Sequence, residues 1–289
     1  MPQQSGQVLI RRAAVLGSPI EHSLSPVLHR AAYEALGLDD WRYERFEVDE
    51  SALAEFVGSL GTEWAGLSLT MPLKEEALVL AAHCDPIALQ TGAVNTLVPT
   101  ESGWHGYNTD VHGVVAALQD AGVGTAATGR ALVLGSGATA RSVLAALAEL
   151  GVLDVTLAVR KDARASTLAQ ANDHGMTTDV VSLTDAGVHA HGYDLVISTL
   201  PPGGADGFAG VASASPVRAR TGTVWMDAVY AGWPTAFADS GEHTGARVVS
   251  GLEMLIHQAV RQVELMTGRV PPLNAVQQAG HAALAAREA

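Results

Sequence analysis

One stretch of the chain restricts its fold more than any other. The apolar run Arg130-Ala131-Leu132-Val133-Leu134 leads straight into Gly135-Ser136-Gly137-Ala138-Thr139-Ala140, and a helical pattern over 140–150 follows at once. In such a G-x-G-x-x-A turn the first glycine makes the bend, the second lets backbone approach a pyrophosphate, and the small last residue lets helix and strand pack closely. The helix start adds amide donors and the positive end of a dipole. The motif alone is weak, because Gly-rich turns also occur without ligands; the strand before it and the helix after it give it meaning. Gly135, Ser136, Gly137, Ala138 and Thr139 are therefore the candidate cradle for the phosphates of a dinucleotide. Roughly 20 residues further on, an NAD site would carry an acid for the ribose. Here the next strand-like run, 154–159, ends in Arg160 and Lys161. Arg160 can stack on adenine and pair with a 2′-phosphate, and Lys161 or Arg164 adds charge, so NADP (NADPH) is favoured over NAD. The plain alternative is a solvated basic strand end, and Asp162 is near enough to act as a ribose acid if the loop turns differently.

On either side of this turn, short β-like runs alternate with longer stretches of helical period, the pattern of an α/β protein with mainly parallel strands. The first half predicts strands at 12–16, 42–48 and 66–70, helices at 26–36, 51–60, 74–82 and 111–120, and a hairpin from 93–100 and 103–107. A turn-like stretch over 122–129 follows. Strands at 130–134, 154–159, 194–199 and 224–228 with helices at 140–150 and 163–172 then predict a doubly wound, Rossmann-like sheet. Amphipathic helices at 252–267 and 274–287 close the chain and are expected to return to the first unit. The 289 residues thus divide into a discontinuous α/β substrate-binding catalytic unit, 1–109 and 251–289, and an inserted NADP-binding unit, 110–250. The active site is expected in the cleft between them.

Composition removes several classes of function. Hydrophobic residues make up 48 % and charged residues 16 %, so the chain is globular rather than disordered. Seventeen Lys and Arg against 30 Asp and Glu leave a net charge of −13, which argues against nucleic acid or an anionic membrane as partner. The single cysteine, Cys84, cannot close an internal disulfide, and Arg11 and Arg12 break the short apolar start, so no signal peptide is read. No run reaches the ~20 apolar residues of a membrane span, and a cytoplasmic protein is expected. His189 and His191 lack the spacing of a zinc site, so no metal is expected. A homodimer is a base-rate expectation.

Five segments carry polar groups suited to a small polyhydroxylated acid, and each has a bland explanation. Ser23 and Ser25 precede a helix with Pro26 at its start, where Ser25 would serve as a simple N-cap. Hydroxyls and free amides at a helix start also suit a carboxylate. In Ser68-Leu69-Thr70-Met71-Pro72-Leu73-Lys74 a strand passes into a helix, and Lys74 stands where the macrodipole disfavours a cation. A solvated amine is the ordinary reading; an amine that gives up and takes back a proton is the alternative. Asn95 and Asp110 lie at strand and helix ends, where Asp110 could be only an N-cap. Gln258 would by default be an exposed helical glutamine.

Taken together, HSLSP, SLTMPLK, GAVNT, GYNTD, GSGATA, Asp227-Ala228-Val229-Tyr230 and the segment from Gly251 to Ala259 resemble the shikimate dehydrogenases, in that family's order and at similar spacings from about Gly17 to Ala259. The resemblance implies NADP-linked interconversion of shikimate and 3-dehydroshikimate, the step before shikimate phosphorylation on the route to chorismate and aromatic amino acids. It implies that Ser23 and Ser25 hold the substrate carboxylate with Tyr230 nearby, that Thr70, Asn95 and Gln258 bind ring hydroxyls, and that Lys74 and Asp110 form the catalytic pair. Ala228, Gly251 and Met254 would line the nicotinamide side. Three positions depart from the family pattern. Ser68 stands where Asn is usual, Val159 replaces the Asn of the usual Asn-Arg-Thr cofactor loop, and the segment after Tyr230 lacks its usual Pro. The rival readings are an NAD-preferring quinate/shikimate dehydrogenase, a paralogue acting on an amino analogue, and a non-catalytic NADP-binding regulator. The regulator would be expected to have lost Lys74 or Asp110, and both are present. A folate-linked dehydrogenase of similar architecture does not account for HSLSP and GYNTD together.

Overall fold

The computed structural model describes residues 10–125 and 129–288. The first nine residues and the last residue of the expected substrate unit, and part of the 122–129 turn, lie outside the described residues.

The chain begins with β1 (Arg11–Gly17), α1 (Ser25–Leu36), β2 (Trp41–Glu47), α2 (Leu53–Gly58), β3 (Trp64–Leu69) and α3 (Lys74–Leu80). The short β4 (His83–Cys84) and α4 (Pro86–Thr91) lead to a hairpin, β5 (Thr96–Thr100) and β6 (Gly103–Tyr107), and then to α5 (Asp110–Asp120). These strands form a six-stranded sheet in the order β2-β1-β3-β5-β6-β4. Its β1 pairs in parallel with β2 and β3, whereas β5 runs antiparallel to β3 and β6.

After α5 the character changes. The elements are β7 (Arg130–Leu134), α6 (Ala138–Glu149), β8 (Asp154–Val159), α7 (Ala165–Asp173), β9 (Thr177–Ser182) and α8 (Leu183–His189). Next come β10 (Leu195–Ser198), α9 (Asp206–Ser213), β11 (Val224–Asp227), α10 (Ala236–Thr244) and β12 (Arg247–Ser250). The second sheet, β12-β11-β10-β7-β8-β9, is parallel throughout, and its strand order reverses between β7 and β10. That is the doubly wound arrangement, in which ligands bind outside the carboxyl ends of the strands at the reversal. Strands covered on both faces read as unbroken apolar runs, which is why β7, β8 and β10 stand out in the sequence.

Edge and connecting elements do not. β9 carries Thr177, Thr178 and Asp179 and is largely exposed, so no apolar alternation marks it. β12 is four residues long, and α8, α9 and α10 are rich in Gly, Ala, Ser and His rather than in a periodic apolar stripe. The expected strand at 93–100 begins only at Thr96, leaving Asn95 in a bend.

The chain closes with α11 (Gly251–Thr267) and α12 (Leu273–Glu288), which return to the first sheet. Leu252, Ile256 and Val263 of α11 and Val276 of α12 share one core with Val15, Leu28 and Tyr43. Helix α5 faces the other way, its Val114 and Leu118 sharing a core with Val133 of β7 and Leu144 of α6. It also crosses α11 closely: a Cβ on Gly113 would lie 2.6 Å from the Met254 carbonyl oxygen. No helix among the described residues is long and apolar enough to cross a membrane.

Candidate active site

Strand β3 delivers Thr70 and Lys74. The Thr70 amide donates to the Leu16 carbonyl at 2.9 Å, and a Cβ on Gly17 would meet the Thr70 methyl at 2.5 Å, so only glycine fits where β1 and β3 end side by side. Lys74 is the first residue of α3, and its carbonyl accepts from the Val94 amide at 2.8 Å. Asp110 is the first residue of α5; Thr109, not Asp110, occupies the N-cap position, which corrects the simple capping explanation. The two side chains meet, Lys74 Nζ lying 2.5 Å from Asp110 Oδ2. Asp110 is 1 % exposed, and a carboxylate that buried persists only with its partners in place. Its other oxygen accepts from Asn95 Nδ2 at 2.9 Å, and the same amide group donates to Gln258 Oε1 at 2.9 Å. Asn95 Oδ1 in turn accepts from the Thr109 amide at 2.8 Å. Asn95 therefore stands one layer behind the cleft surface, holding Asp110 and Gln258, with its amide already used.

A cleft of about 290 Å³ opens over this pair. Ser23, Ser25 and Tyr230 line it together with Thr70 and Gln258. Ser25 is the first residue of α1 rather than its N-cap; the N-cap position falls to Leu24, which has no side-chain cap, and Ser23 Oγ accepts from the Ser25 amide at 3.3 Å, meeting one of the free amides of the helix start. Burial pushes the Tyr230 phenol above its ordinary pKa, opposed by a hydrogen bond to the backbone of Leu24. Behind Ser25, His29 is buried against Tyr43, and burial pushes its pKa down to about 3.

The sequence singles out Ser68 as a departure from the family pattern, but not the two residues it bonds to, Tyr43 and Gln262. Tyr43 Oη donates to Ser68 Oγ at 2.6 Å, Ser68 Oγ donates to Gln262 Oε1 at 2.8 Å, and Gln262 Nε2 donates to Thr96 Oγ1 at 2.9 Å. Ser68 and Gln262 both line the cleft. Gln262 lies one helical turn beyond Gln258, a spacing that marks the same face of α11; nothing in the local sequence marks Tyr43.

A second groove, about 870 Å³, runs past the turn after β7. Gly135 has φ +109°, and a Cβ on it would meet Thr199 Oγ1 at 2.5 Å. Gly137, the N-cap of α6, has no side-chain cap, and a Cβ there would meet nothing within 4 Å, so the helix-start amides face open space. Ser136, Ala138 and Thr139 line the groove, as do Arg160, Lys161, Asp162 and Arg164 beyond β8. Free amides at a glycine turn beside exposed cations fit a dinucleotide with an added phosphate. Ala228, Gly251 and Met254 lie instead on the first cleft. A Cβ on Gly251 would come within 2.2 Å of the Ala228 carbonyl oxygen, so glycine is required where α11 starts against the end of β11. Just before it, Asp227 accepts from Thr235 Oγ1 at 2.7 Å, and burial raises its pKa. The two clefts share Thr70, Lys74 and Thr139.

Comparison with known proteins gives this arrangement a family. Residues 15–97 match the shikimate dehydrogenase substrate binding domain, 117–201 match shikimate / quinate 5-dehydrogenase, and 251–279 match the shikimate 5′-dehydrogenase C-terminal domain. A shikimate dehydrogenase (NADP(+)) of Moorella thermoacetica is 36 % identical over 278 residues, covering 90 % of this chain and 89 % of the relative. The crystal structure of Mycobacterium tuberculosis shikimate dehydrogenase superposes with a TM-score of 0.83 at 45 % identity, covering 94 % of this chain and 99 % of that one. That of the Thermus thermophilus shikimate 5-dehydrogenase in complex with NADP(H) and shikimate gives 0.79 at 33 % identity, again covering 94 % and 99 %. Similarity of this degree, carried across both sheets and the returning helices, means that the chain belongs to the shikimate/quinate dehydrogenase family.

Proposed function

We propose that this protein is an NADP-dependent shikimate dehydrogenase, reducing 3-dehydroshikimate to shikimate on the route to chorismate and the aromatic amino acids. The observation that carries the proposal is the Lys74–Asp110 contact of 2.5 Å at the junction of the two clefts, where one amine faces both a substrate site and a dinucleotide groove. NADPH, when bound, supplies the hydride for the carbonyl carbon, and NADP⁺ accepts it in the reverse direction. Lys74 Nζ gives its proton to the oxygen that becomes the alcohol, and in the oxidation it takes the hydroxyl proton back. Asp110 Oδ2 aims the Lys74 amine, while Asn95 fixes the carboxylate through Oδ1. A pair held in this way loses little entropy when substrate arrives.

Ser23 and Ser25, with Tyr230, suit the substrate carboxylate at the start of α1. Thr70 and Gln258 suit ring hydroxyls, with Asn95 acting behind them. Gly135 to Thr139 cradle the phosphates, and Arg160, supported by Lys161 and Arg164, receives the 2′-phosphate. Ala228, Gly251 and Met254 flank the nicotinamide. In this reading the substrate unit is 1–109 with 251–289, the cofactor unit is 110–250, and their approach excludes water from the hydride path. A cytoplasmic location and a homodimer belong to the same reading; sedimentation equilibrium tests the dimer.

Initial rates with shikimate or quinate, each with NADP⁺ or NAD⁺, test the activity. The highest kcat/KM for shikimate with NADP⁺ is the expected result. A preference for quinate or NAD⁺ would replace it with the rival specificity and direct attention to Ser68 and Val159. No turnover with any pair would reject the shikimate dehydrogenase reading in favour of the amino-analogue paralogue or the non-catalytic regulator.

A further inference from the structure

Arg141 lies one turn into α6, the helix whose start forms the phosphate cradle, and it is 4 % exposed. A buried guanidinium persists only where its donors are met. Its Nε donates to the Thr91 carbonyl at 2.5 Å, and one terminal nitrogen donates to the Gly92 carbonyl at 3.2 Å and to Glu75 Oε1 at 2.7 Å. Thr91 and Gly92 end α4, where backbone carbonyls lack helical partners and a cation is favoured. Glu75 directly follows Lys74. The next residue of α6, Ser142, accepts from Asn108 Nδ2 at 3.0 Å, and Asn108 Oδ1 accepts from the Asp110 amide at 3.1 Å. Two consecutive residues of one helix thus reach the flanks of both members of the Lys74–Asp110 pair. Glu75 Oε1 also lies 3.4 Å from Arg164 on the basic edge of the cofactor groove.

We propose that Arg141 is a positioning residue that couples occupancy of the phosphate cradle to the alignment of Lys74 and Asp110, through Glu75 on one side and, beside it, Ser142 and Asn108 on the other. The inference rests on the functional reading above. A phosphate held at the start of α6 orders that helix turn; Arg141 and Ser142 then order the starts of α3 and α5. Cofactor binding tightens substrate binding, and by linkage substrate tightens cofactor binding by the same factor.

The test is calorimetric titration of shikimate alone, NADPH alone, and shikimate with saturating NADPH, a pair that cannot react because both are reduced. Hydrogen exchange over 74–80 and 108–112 is followed with and without NADPH. In the unaltered protein NADPH should tighten shikimate binding by about fivefold or more and slow exchange in both segments. Arg141→Met should bring the factor to within about twofold of unity and abolish the exchange response, with Arg141→Lys retaining part of both. Glu75 is half exposed, so Glu75→Gln keeps the fold and decides the matter if Arg141→Met does not fold; it should lower the coupling and the response over 74–80. Unchanged coupling in these variants overturns the proposal. So does an equal loss of shikimate affinity with and without NADPH, which would mark Arg141 as merely structural. Binding of both ligands to the unaltered protein without coupling overturns the inference alone; binding of neither overturns the functional reading and the inference with it.

Discussion

In the substrate cleft the polar groups are side chains bound to one another. Asp110 is held by Lys74 and Asn95, Asn95 also holds Gln258, and Ser68 sits between Tyr43 and Gln262. In the cofactor groove they are backbone amides at the start of α6 and basic side chains standing in solvent; the Arg164 side chain is 59 % exposed. The first arrangement is stiff, because every buried partner that moves leaves another unsatisfied. The second is screened by water and salt, and its cations are tied down only loosely, as in the 3.4 Å contact of Arg164 with Glu75. On the proposed function, substrate choice is spread over a network, and the choice between NADP and NAD rests on a few exposed charges.

The strongest challenge to this contrast is Lys74→Ala. With the fold retained, kcat should fall by about 10² or more while KM for shikimate changes less, as loss of a proton-transfer group requires. Near-normal turnover in steady-state assays would reduce the buried pair to a structural contact. On the groove side, Arg160→Ala should weaken NADPH binding by roughly tenfold and leave NADH binding nearly unchanged, a difference that shrinks in high salt. Equal losses in titrations of the two cofactors would move the 2′-phosphate site to Lys161 or Arg164.

Smaller effects sharpen the picture of the cleft. Tyr43→Phe removes the donor to Ser68 and should cost about 1 kcal/mol in denaturant unfolding. It should also raise KM for shikimate a few fold without changing KM for NADPH; a shift in both constants would show that the network is not confined to the substrate side. The least effect concerns pH. Burial lowers the His29 pKa from 6.5 to about 3, so the folded protein holds the ring neutral. The stability this contributes is whole above pH 6.5 and is lost as pH falls toward 3, because the unfolded chain binds the proton first. His29 Nε2 has no hydrogen-bond partner among the described residues, its Nδ1 bonds to the Ser25 carbonyl at 3.0 Å, and its ring stacks on Tyr43 at 3.8 Å, so His29→Phe keeps an aromatic ring there and gives up one hydrogen bond at every pH. Thermal melts of that variant should lose less Tm between pH 7 and pH 4 than the unaltered protein, and identical slopes would assign the acid sensitivity to other groups.

Much of the fold was legible from short-range patterns. The run into Gly135 marked β7 and α6, and 252–267 and 274–287 marked the returning helices. What escaped was short or half exposed: β9 at the sheet edge, the four residues of β12, and α8 to α10 with their small side chains. In the site, Ser23, Ser25, Thr70, Lys74, Asp110 and Gln258 could be singled out because each sits in a recognisable segment, and the structure places all six on one cleft. Tyr43 and Gln262 carried no segment of their own. Arg141 was visible only as the residue after the Gly-rich turn.

By itself the sequence determined the alternation of strands and helices, the glycine turn that opens the cofactor groove and the order of the polar segments. These depend on residues a few positions apart, where backbone geometry and helical period act directly. Tertiary structure alone decided that Lys74 meets Asp110, that Asn95 stands behind the cleft surface, and that Ser68 bonds to Gln262, 194 positions away. Those contacts follow from how α5 crosses α11 at Gly113 and how α11 returns to the first sheet. Such packing sums over whole cores, so no local pattern encodes it.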